Sequence, residues 1–246
     1  MQYDGYGRRQ GEKTLNESEK FYQENLYPLQ DGVLNLVKNC KTHFYLTGGT
    51  ALSRIYYNHR YSDDLDFFVN ADIKFNDFTL LIYNSLLNHG YEWSENDSFV
   101  GVNYKRLLVR NKNHPNVDLK LDFVNDIDVH YGELSNHTLF DKIDSIQNIL
   151  SNKISALFRY AEKDIADLLF IARNYKFHWE EIISQARSKE LGIETYLVSD
   201  LLLSFPKNKF DNIKWIHNVN YNQLESDLKQ MAKDCLEVKA NSLCLP

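Results

Sequence analysis

The stretch GGTALSRIYYNHRYSDDLDFFV, residues Gly48–Val69, decides the fold, because a cluster of aspartates runs directly into apolar residues. On a β-strand, residues two apart point to the same face and lie roughly 6–7 Å apart, so Asp64 and Asp66 share one face. Two carboxylates in this arrangement repel each other unless a cation lies between them. Mg²⁺ suits such a pair, since it binds a few carboxylates together with substrate phosphates. The stretch therefore predicts a metal site at the start of a strand.

Upstream of these acids, Gly48, Gly49 and Thr50 lie between a predicted strand, HFYLTGG, and a predicted helix, TALSRIYYN. The free backbone N–H groups and the dipole of a helix N-terminus form an anion site. Glycine lets the backbone approach a phosphate closely, and the Thr50 hydroxyl can donate to one. Alone, such a turn more often only connects two elements.

A second acidic strand follows in VDLKLDFV, residues 117–124, where Asp118, Lys120 and Asp122 share one face and apolar residues form the other. If this strand lies beside the first one, Asp122 completes a three-carboxylate metal site and Lys120 lies near the phosphates. The alternative for this pattern alone is a solvated strand face. A phosphate site, two same-face acids and a third acid on a later strand are together the parts of metal-assisted nucleotidyl transfer.

Length and composition are those of a globular chain of 246 residues with 43% hydrophobic content, enough for two subdomains. The formal net charge of −6 argues against binding nucleic acid by bulk electrostatics. Acids outnumber bases by 19 to 14 in residues 1–135 and by 15 to 14 in residues 136–246. The acidic excess therefore lies in the half that carries the motif, and a local basic groove remains open.

Cysteine usage and hydropathy point to a cytoplasmic protein. Cys40, Cys235 and Cys244 have no paired spacing typical of zinc or disulfides. The N-terminus has no apolar signal core, and no apolar run is long enough to span a bilayer. We expect a reducing compartment and no membrane partner.

The chain pattern predicts an α+β fold with a mixed sheet. Residues 1–17 are polar, and residues 18–39 fit a helix kinked or split at Pro28. Strand, helix, strand and helix follow, and then a hairpin that turns at His114, Pro115 and Asn116. After about Asp141 only helices are indicated, at Ser151–Tyr175, Trp179–Lys189, Glu194–Phe205 and Gln223–Val238. We expect a first domain over residues 1–140 and a C-terminal helical bundle over residues 141–246.

These residues carry a family resemblance. FYLTGGTALSRIYYNHRYSDDLDFFV resembles the AbiEii/AbiGii toxin family of nucleotidyltransferases, in the polymerase-beta-like superfamily, whose signature is GG[ST], HR-x-S and D-x-D. The match is weaker through LKLDFV and returns in NKISALFRYAEKDIADLL, which is similar to the family's K…R…KD-x-x-D helix. It covers roughly residues 20–180.

The resemblance implies Mg²⁺-dependent transfer of a nucleotide from an NTP to an acceptor hydroxyl, with pyrophosphate leaving. Relatives act as toxins in toxin–antitoxin pairs and in phage defence, and some modify tRNA ends. By residue, Asp64 and Asp66 would bind the metals, and Asp122 would activate the hydroxyl through a metal or as a base. Gly48, Gly49 and Thr50 would hold the β- and γ-phosphates. The pattern leaves position 63 free, so Asp63 receives no role.

The predicted helix from Ser151 has a polar stripe beside its apolar face. At about 100° per residue, Lys153, Tyr160, Asp164 and Asp167 line up. We expect Lys153 to hold the triphosphate and Asp164 to orient Lys153 or contact the nucleoside. The alternative is ordinary intrahelical pairing, such as Lys163 with Asp167.

His59 and Arg60 leave alternatives open. His59 is a candidate base, although a structural hydrogen bond to a carboxylate is the more common role. Arg60 either pairs with a local aspartate or binds nucleotide phosphate.

The acceptor is the least determined part. An RNA acceptor such as tRNA needs a basic track, and the candidates are Lys105, Arg106, Arg110 and Lys112 and, near the C-terminus, Lys207, Lys209 and Lys214. Both groups also fit plain solvated surface. The alternatives are a small-molecule acceptor, as in antibiotic-modifying nucleotidyltransferases, or a degenerate, non-catalytic binding module. A cognate antitoxin would be a separate chain.

Overall fold

A six-stranded mixed sheet forms the first part of the fold in the computed structural model, which describes residues 17–244. The strand order is β1-β2-β6-β5-β3, and the short β4 pairs with β5. Only β2 and β6 are parallel, as the mixed-sheet prediction requires. The predicted polar segment falls, except for Glu17, outside the described residues. The strands are β1 Tyr45–Thr47, β2 Leu65–Asn70, β3 Tyr91–Trp93, β4 Phe99–Val100, β5 Tyr104–Asn111 and β6 His114–Asp126.

Helices surround this sheet and make up the chain after it. The α-helices are α1 Glu17–Phe21, α2 Tyr27–Asn39, α3 Gly48–Ala51, α4 Phe75–Asn88, α5 Ile146–Ser155, α6 Glu162–Asn174, α7 Trp179–Lys189, α8 Thr195–Ser204 and α9 Tyr221–Leu236. All strands that the structure describes end before α5, so the α+β prediction with a C-terminal group of helices is confirmed. None of the helices within residues 17–244 is both long and apolar enough to cross a bilayer.

Strand register places the acids side by side. In β2 and β6, Asp66 lies opposite Asp122. Leu65 and Phe67 on the other face of β2 are fully buried, as strand alternation predicts. β1 pairs with β2 so that Thr47, the last residue before the glycines, lies opposite Asp66. The glycine turn and the three aspartates therefore meet at one end of the strands.

The first predicted helix is continuous but irregular. A π-helical segment, Tyr22–Leu26, joins α1 to α2 with helical backbone angles at both junctions, and Pro28 lies in the first turn of α2. A π-helical turn and a proline are both typical causes of a kink, so the kinked form of the prediction fits better than the split one.

The predicted hairpin turn at His114, Pro115 and Asn116 is wrong by a few residues. Asn111 pairs with His114, and the turn lies at residues 112–113. The Asn111 side chain accepts a hydrogen bond of 2.9 Å from the backbone N–H of Asn113, an Asx turn that competes with proline as a turn signal. Pro115 lies near the start of β6, where a missing donor is tolerated.

The predicted continuous helix Ser151–Tyr175 is also wrong. α5 ends at Ser155, a 3₁₀ turn covers Leu157–Arg159, and Tyr160 has a left-handed conformation with φ 54°. Glu162 and Asp164 lie in the first turn of α6, where acids stabilise a helix start. That acidic turn is the sequence signal for a new helix, and the apolar periodicity on both sides conceals it.

Backbone hydrogen bonds join the segment between the sheet and the C-terminal helices, around residues 140–144, to the edge strand β1. The Leu46 N–H donates to the Lys142 carbonyl at 2.8 Å, and the Asp144 N–H donates to the Leu46 carbonyl at 2.9 Å. Phe140 and Ile143 are buried here, within one apolar cluster that extends from the sheet into the C-terminal helices. A division into two domains at about residue 140, which remains a proposal, would fall on this segment.

Candidate active site

A cleft of about 410 Å³ lies between the acidic ends of β2 and β6 and the helices α5 and α6. Six cations and four carboxylates line it, although the whole chain has a net charge of −6. The cleft therefore presents a local excess of positive charge together with a group of acids, which suits a polyanion that brings a divalent cation. The charged lining residues are Arg60, Arg106, Lys120, Lys153, Arg159, Lys163, Asp64, Asp66, Asp122 and Asp164.

Two of the three predicted metal-binding aspartates contact Lys120. Its Nζ lies 2.5 Å from Oδ2 of Asp64 and 3.2 Å from Oδ2 of Asp122. Lys120 lies two residues before Asp122 on β6, so both side chains project from the same face of the sheet, where Asp64 also lies. The structure thus brings Asp64, Asp66, Asp122 and Lys120 together, as the strand pattern predicts.

Asp66 is the carboxylate in this group that has no hydrogen bond or ion pair among residues 17–244. Burial and, after it, the charges of Asp64 and Asp122 together raise the pKa of Asp66 to about 7. A divalent cation would relieve both effects, so this oxygen-rich set fits Mg²⁺ in donor type and charge. In the described part of the chain no three acidic, His or Cys side chains are already arranged as a metal site. The Lys120 ammonium lies between Asp64 and Asp122.

Asp122 has the opposite electrostatics from Asp66. Burial alone would raise its pKa, but hydrogen bonds from Arg106 and the charge of Lys120 lower the pKa below its usual range. Arg106 Nε donates to Oδ1 at 2.8 Å, and the Tyr104 hydroxyl donates to the same oxygen at 3.0 Å. An ionised carboxylate held by three donors is a weak base and a good fixed charge.

The two glycines are required by close approach. Gly48 has φ +67°, and a Cβ there would lie 2.3 Å from Oδ2 of Asp66. A Cβ on Gly49 would lie 2.5 Å from Nη2 of Arg60. The lack of side chains in this turn therefore leaves room for Asp66 and Arg60 in the wall of the cleft.

Thr50 does not line the cleft. Its side chain is fully buried, and its hydroxyl donates to the backbone carbonyl of Asp64. This bond fixes the acidic strand against the helix that follows the glycine turn. The predicted phosphate contact from this hydroxyl would require it to leave the Asp64 carbonyl.

Lys153 and Asp164 meet in the cleft, although the helix used to align them is broken. Lys153 Nζ lies 2.6 Å from Oδ1 of Asp164 and 2.6 Å from Oδ2 of Asp167. Burial opposes the charged form, but Asp167 and Asp164 together raise the pKa of Lys153. The ammonium is thus permanently charged in the wall that faces the three aspartates.

Asp167 is the residue that the sequence reasoning left without a role. It is fully buried, and Arg60 binds it through two hydrogen bonds, Nε to Oδ1 at 2.7 Å and Nη2 to Oδ2 at 2.8 Å. His59 Nε2 lies 2.9 Å from Oδ1. The contact of His59 is the carboxylate contact of the structural alternative, and Arg60 pairs with an aspartate that lies 107 residues away in sequence. Although Asp167 belongs to the KD-x-x-D pattern, only the fold shows that it joins two cations, Arg60 and Lys153, and contacts His59.

The alternative pairing, of Lys163 with Asp167, is absent from the ion pairs among the described residues. Lys163 Nζ lies 3.0 Å from Oδ2 of Asp63, and Lys214 Nζ lies 3.3 Å from Oδ1 of the same residue. The Tyr22 hydroxyl also donates to Asp63. Asp63 therefore joins α6 to the N-terminal and C-terminal segments at the cleft rim, a role that local sequence could not indicate.

The predicted basic tracks are largely neutralised. Lys105 is buried and donates to Thr79 at 2.6 Å, while Arg106 pairs with Asp122 and Arg110 with Asp118. Arg159, which sequence reasoning missed as a rim residue, has a side chain that is 69% exposed. Its sequence signal is the arginine of the K…R…KD-x-x-D pattern, which does not indicate where the side chain lies.

Comparison with known proteins identifies the family of the chain and solved structures with a similar fold. Residues 37–241 match the family described as "Nucleotidyl transferase AbiEii toxin, Type IV TA system". The fold is similar to the crystal structure of JHP933 from Helicobacter pylori, with TM-score 0.58 and 20% identity over 85% of this chain and 91% of that chain. It is also similar to MenT4, a nucleotidyltransferase toxin from Mycobacterium tuberculosis, with TM-score 0.56 and 16% identity over 86% and 82% of the two chains. No curated protein sequence matches the chain.

Proposed function

Because this chain belongs to the AbiEii family of nucleotidyl transferase toxins of type IV toxin–antitoxin systems, we propose that it transfers a nucleoside monophosphate from an NTP to a hydroxyl of RNA, such as tRNA. The protein is a nucleotidyltransferase enzyme by family. The proposal adds the Mg²⁺ requirement, the RNA acceptor and the action as the toxin of a toxin–antitoxin or phage-defence pair. The observation that supports it most is the pairing of Asp66 with Asp122 across β2 and β6, directly beside the Gly48 turn.

The three aspartates would hold the divalent cation. Bound there, Mg²⁺ would supply positive charge that offsets the negative charge of the triphosphate and favours ionisation of the acceptor hydroxyl. Asp66 is suited to this role because it has no recorded protein partner in the described residues and lies among like charges. Asp64 would join it once Lys120 moves off its carboxylate.

The phosphates would lie between the glycine turn and the opposite wall. Backbone N–H groups of Gly48 and Gly49 begin a helical segment and have no intrahelical partner, so they can donate to phosphate oxygens. Lys153 presents a permanent positive charge from the other side, and Asp164 holds it in place at 2.6 Å. Lys120, freed from Asp64, would neutralise phosphate charge. Arg60 would act by holding Asp167 and the wall.

The transfer is an in-line displacement at the α-phosphorus. The acceptor oxygen forms the new bond to phosphorus, the bond to the bridging oxygen of pyrophosphate breaks, and the hydroxyl proton leaves to solvent or a base. Asp122 is a poor base, since its pKa is lowered by Arg106 and Lys120. We therefore assign Asp122 the role of orienting the acceptor as a fixed negative charge and metal ligand.

An RNA acceptor fits the exposed cations at the cleft mouth. The Arg159 side chain is 69% exposed and the Arg106 side chain 44% exposed, and both border the cleft. Arg159 pairs with Asp164 at 3.1 Å and Arg106 with Asp122 at 2.8 Å, so a phosphodiester backbone that approaches would compete with these carboxylates for the two guanidinium groups. A cognate antitoxin is the further partner that a toxin of a type IV toxin–antitoxin system implies.

The test is transfer of label from NTPs in the presence of Mg²⁺ to total RNA or to small alcohols and aminoglycoside-type acceptors. We expect labelled RNA with wild-type protein and none with Asp64→Asn. Labelling of the small molecules alone would replace the RNA acceptor by the small-molecule alternative. Absence of all transfer, with no binding of Mg–NTP, would support the non-catalytic binding module.

A further inference from the structure

A single row of paired residues crosses the face of the sheet that lines the cleft and ends outside the cleft. Asp66 on β2 lies opposite Asp122 on β6, which lies opposite Arg106 on β5. Arg106 in turn lies opposite Phe99 on β4. Directly opposed residues of neighbouring strands point to the same face. With about 4.8 Å between strands, Phe99 lies roughly 10 Å beyond Asp122, on the side away from Asp66. The row therefore leads from the proposed metal site to an aromatic ring at the edge of the sheet.

Phe99 belongs to an apolar patch at the tip of the β4–β5 hairpin. The hairpin-tip patch consists of Phe99, Val100 and Val102, which are 54%, 69% and 80% exposed. Single exposed apolar side chains are ordinary, but three within four residues beside a charged cleft indicate a surface that meets a ligand or a partner. Phe99 is paired with Arg106, and Arg106 lines the cleft. The hairpin-tip patch is therefore continuous with the candidate active site.

The turn of its own hairpin holds the Phe99 ring in place. The ring centroids of Phe99 and Tyr104 lie 5.5 Å apart, with 33° between the ring planes. The Gly101 N–H donates to the Tyr104 carbonyl at 2.8 Å, and a Cβ on Gly101 would lie 2.9 Å from Cε1 of Phe99. The turn thus packs closely against the ring and leaves about half of the residue exposed. Because the ring is already fixed, a flat ligand that stacks on it loses little affinity to side-chain ordering.

Tyr104 connects the hairpin-tip patch to the candidate active site. Its hydroxyl donates to Oδ1 of Asp122 at 3.0 Å, and its ring contacts Phe99. Asp122 is the carboxylate to which we assign the orientation of the acceptor. One side chain therefore contacts both the acceptor carboxylate and the exposed ring, and it fixes the separation between them.

The order of groups along this path favours the end of an RNA strand as the occupant. A terminal nucleotide has a hydroxyl that must reach Asp122, a negative phosphate that Arg106 attracts, and a flat base that suits Phe99. The roughly 10 Å between Asp122 and Phe99 is a distance that one ribose and its base can bridge. Stacking of a base on an aromatic ring requires that no neighbouring base covers the same face. The path therefore suits an unpaired nucleotide better than the end of a closed duplex.

We propose that the hairpin-tip patch is an acceptor subsite, in which the base of the nucleotide that carries the acceptor hydroxyl stacks on Phe99 while the hydroxyl lies at Asp122. The inference rests on the proposed function, because it takes transfer to occur beside Asp122. It narrows the acceptor to RNA with a single-stranded end. It also gives Phe99 a role in binding RNA and none in binding the NTP.

Fluorescence anisotropy at physiological ionic strength tests this subsite with a labelled single-stranded oligoribonucleotide of about twelve nucleotides and with the same strand in a blunt-ended duplex. Wild-type protein should bind the single strand more tightly than the duplex. Phe99→Leu keeps an apolar side chain but removes the ring, so its affinity for the single strand should fall about fivefold or more. Phe99→Tyr keeps the ring and should stay close to the wild type.

Two controls accompany these variants. Tyr196→Ala, at a 59% exposed aromatic residue of α8 outside the cleft, is the matched control and should bind the single strand like the wild type. Calorimetry with a non-hydrolysable Mg–NTP should give the same affinity for the wild type and for both Phe99 variants. Circular dichroism checks that each variant is folded.

The outcomes separate the subsite from the proposed function. Equal binding of the single strand by the wild type and Phe99→Leu would overturn the subsite, and so would tighter binding of the blunt duplex by the wild type. An equally large loss in Phe99→Tyr and Phe99→Leu would also overturn it, because the ring would then not be what the RNA contacts. Failure of the wild type to bind Mg–NTP would instead reject the proposed function, and the acceptor assignment with it.

Discussion

Lys153 in α5 and Asp167 in α6 form a buried ion pair, with 2.6 Å between Nζ and Oδ2, across the break that separates the two helices. The same carboxylate accepts two hydrogen bonds from Arg60, which follows the glycine helix. Asp167 therefore connects the helical wall of the cleft to the acidic strand. A buried carboxylate that carries a charge costs free energy unless cations surround it, and here Arg60 and Lys153 do so.

The first prediction concerns Asp167→Asn. The substitution keeps the shape of the side chain but leaves the buried charge of Arg60 without its carboxylate and leaves Lys153 paired with Asp164 alone. Breaking a buried pair in this way typically costs about 3–5 kcal/mol, so the free energy of unfolding should fall by that order. Urea unfolding followed by circular dichroism measures it.

A solvent-exposed ion pair provides the control for this substitution. Arg187 and Glu194 lie 2.8 Å apart, and their side chains are 47% and 49% exposed. Glu194→Gln should change the free energy of unfolding by less than about 1 kcal/mol. If the two substitutions had equal effects, Asp167 would not be the electrostatic centre of the wall.

The second prediction concerns pH. Burial lowers the pKa of His59 below its ordinary value of about 6.5, against a smaller opposing effect of Asp167. The unfolded chain therefore takes up a proton at higher pH than the folded one, so the stability contribution is present above about pH 6.5 and is lost as pH falls. His59→Gln removes this group. Its free energy of unfolding should fall less between pH 7.5 and pH 5.5 than that of the wild type.

The quantity to compare is the change in the free energy of unfolding with pH. The absolute stability is not informative, because glutamine also changes the hydrogen bond to Asp167. His217→Gln, at a histidine of the surface segment between α8 and α9, is the control and should keep the wild-type slope. An unchanged slope in His59→Gln would mean that His59 protonates equally in both states.

The third prediction concerns the glycine turn. Gly48→Ala combines a left-handed φ of +67° with a Cβ 2.3 Å from the Asp66 carboxylate. Gly90→Ala has a similar φ of +79° but no atom within 4 Å of the added Cβ. The Gly90 variant should lose about 1–2 kcal/mol of stability, because alanine is strained in the left-handed conformation. The Gly48 variant should lose distinctly more. Thermal unfolding of both variants compares their stabilities directly. Equal losses of stability would show that the Asp66 side chain can move away from the added Cβ at no cost in free energy.

Sequence reasoning reached the site through strand alternation, which is local. Asp64 and Asp66 necessarily share one face of β2, and Asp122 lies on the face of β6 opposite to Leu119 and Leu121. The acidic surface therefore follows as soon as the two strands are taken as neighbours. The rest depends on contacts that no local pattern contains. Asp167 and Asp63 gained their roles from partners about a hundred residues away.

The broken helix shows the other limit. Apolar periodicity continues through Leu157 and Ile165, so the pattern predicts one helix, while the left-handed Tyr160 ends it. The prediction that Lys153 and Asp164 lie close together is therefore correct for a wrong reason. The two side chains do not share one helix, and the packing of α5 against α6 brings them together. The 46% exposure of Phe158, in the 3₁₀ turn, follows from the same break and could not be predicted.

The fourth prediction concerns the metal. Asp64→Asn and Asp66→Asn each remove a carboxylate that we propose binds Mg²⁺, so nucleotide transfer should fall by more than about 100-fold, as should transfer by wild-type protein treated with a chelator. Asp66→Asn should also raise the melting temperature without Mg²⁺, since it relieves repulsion from Asp64 and Asp122. Asp118→Asn, at the exposed acid of the same strand face, is the control and should retain activity. Retained activity in either site variant would remove the metal assignment.

The last prediction concerns Lys120, whose ammonium lies 2.5 Å from Asp64 and 3.2 Å from Asp122 and thus occupies the place of a competing cation. Lys120→Met should bind Mn²⁺ several-fold more tightly than the wild type in the absence of nucleotide, because the metal no longer displaces a positive charge. It should also melt at a lower temperature without metal, since the carboxylates then repel one another. Lys163→Met is the control, because Lys163 lines the same cleft but pairs with Asp63. Calorimetric Mn²⁺ titration decides the point: equal or weaker binding by Lys120→Met would show that the ammonium helps to shape the metal site and does not compete for it.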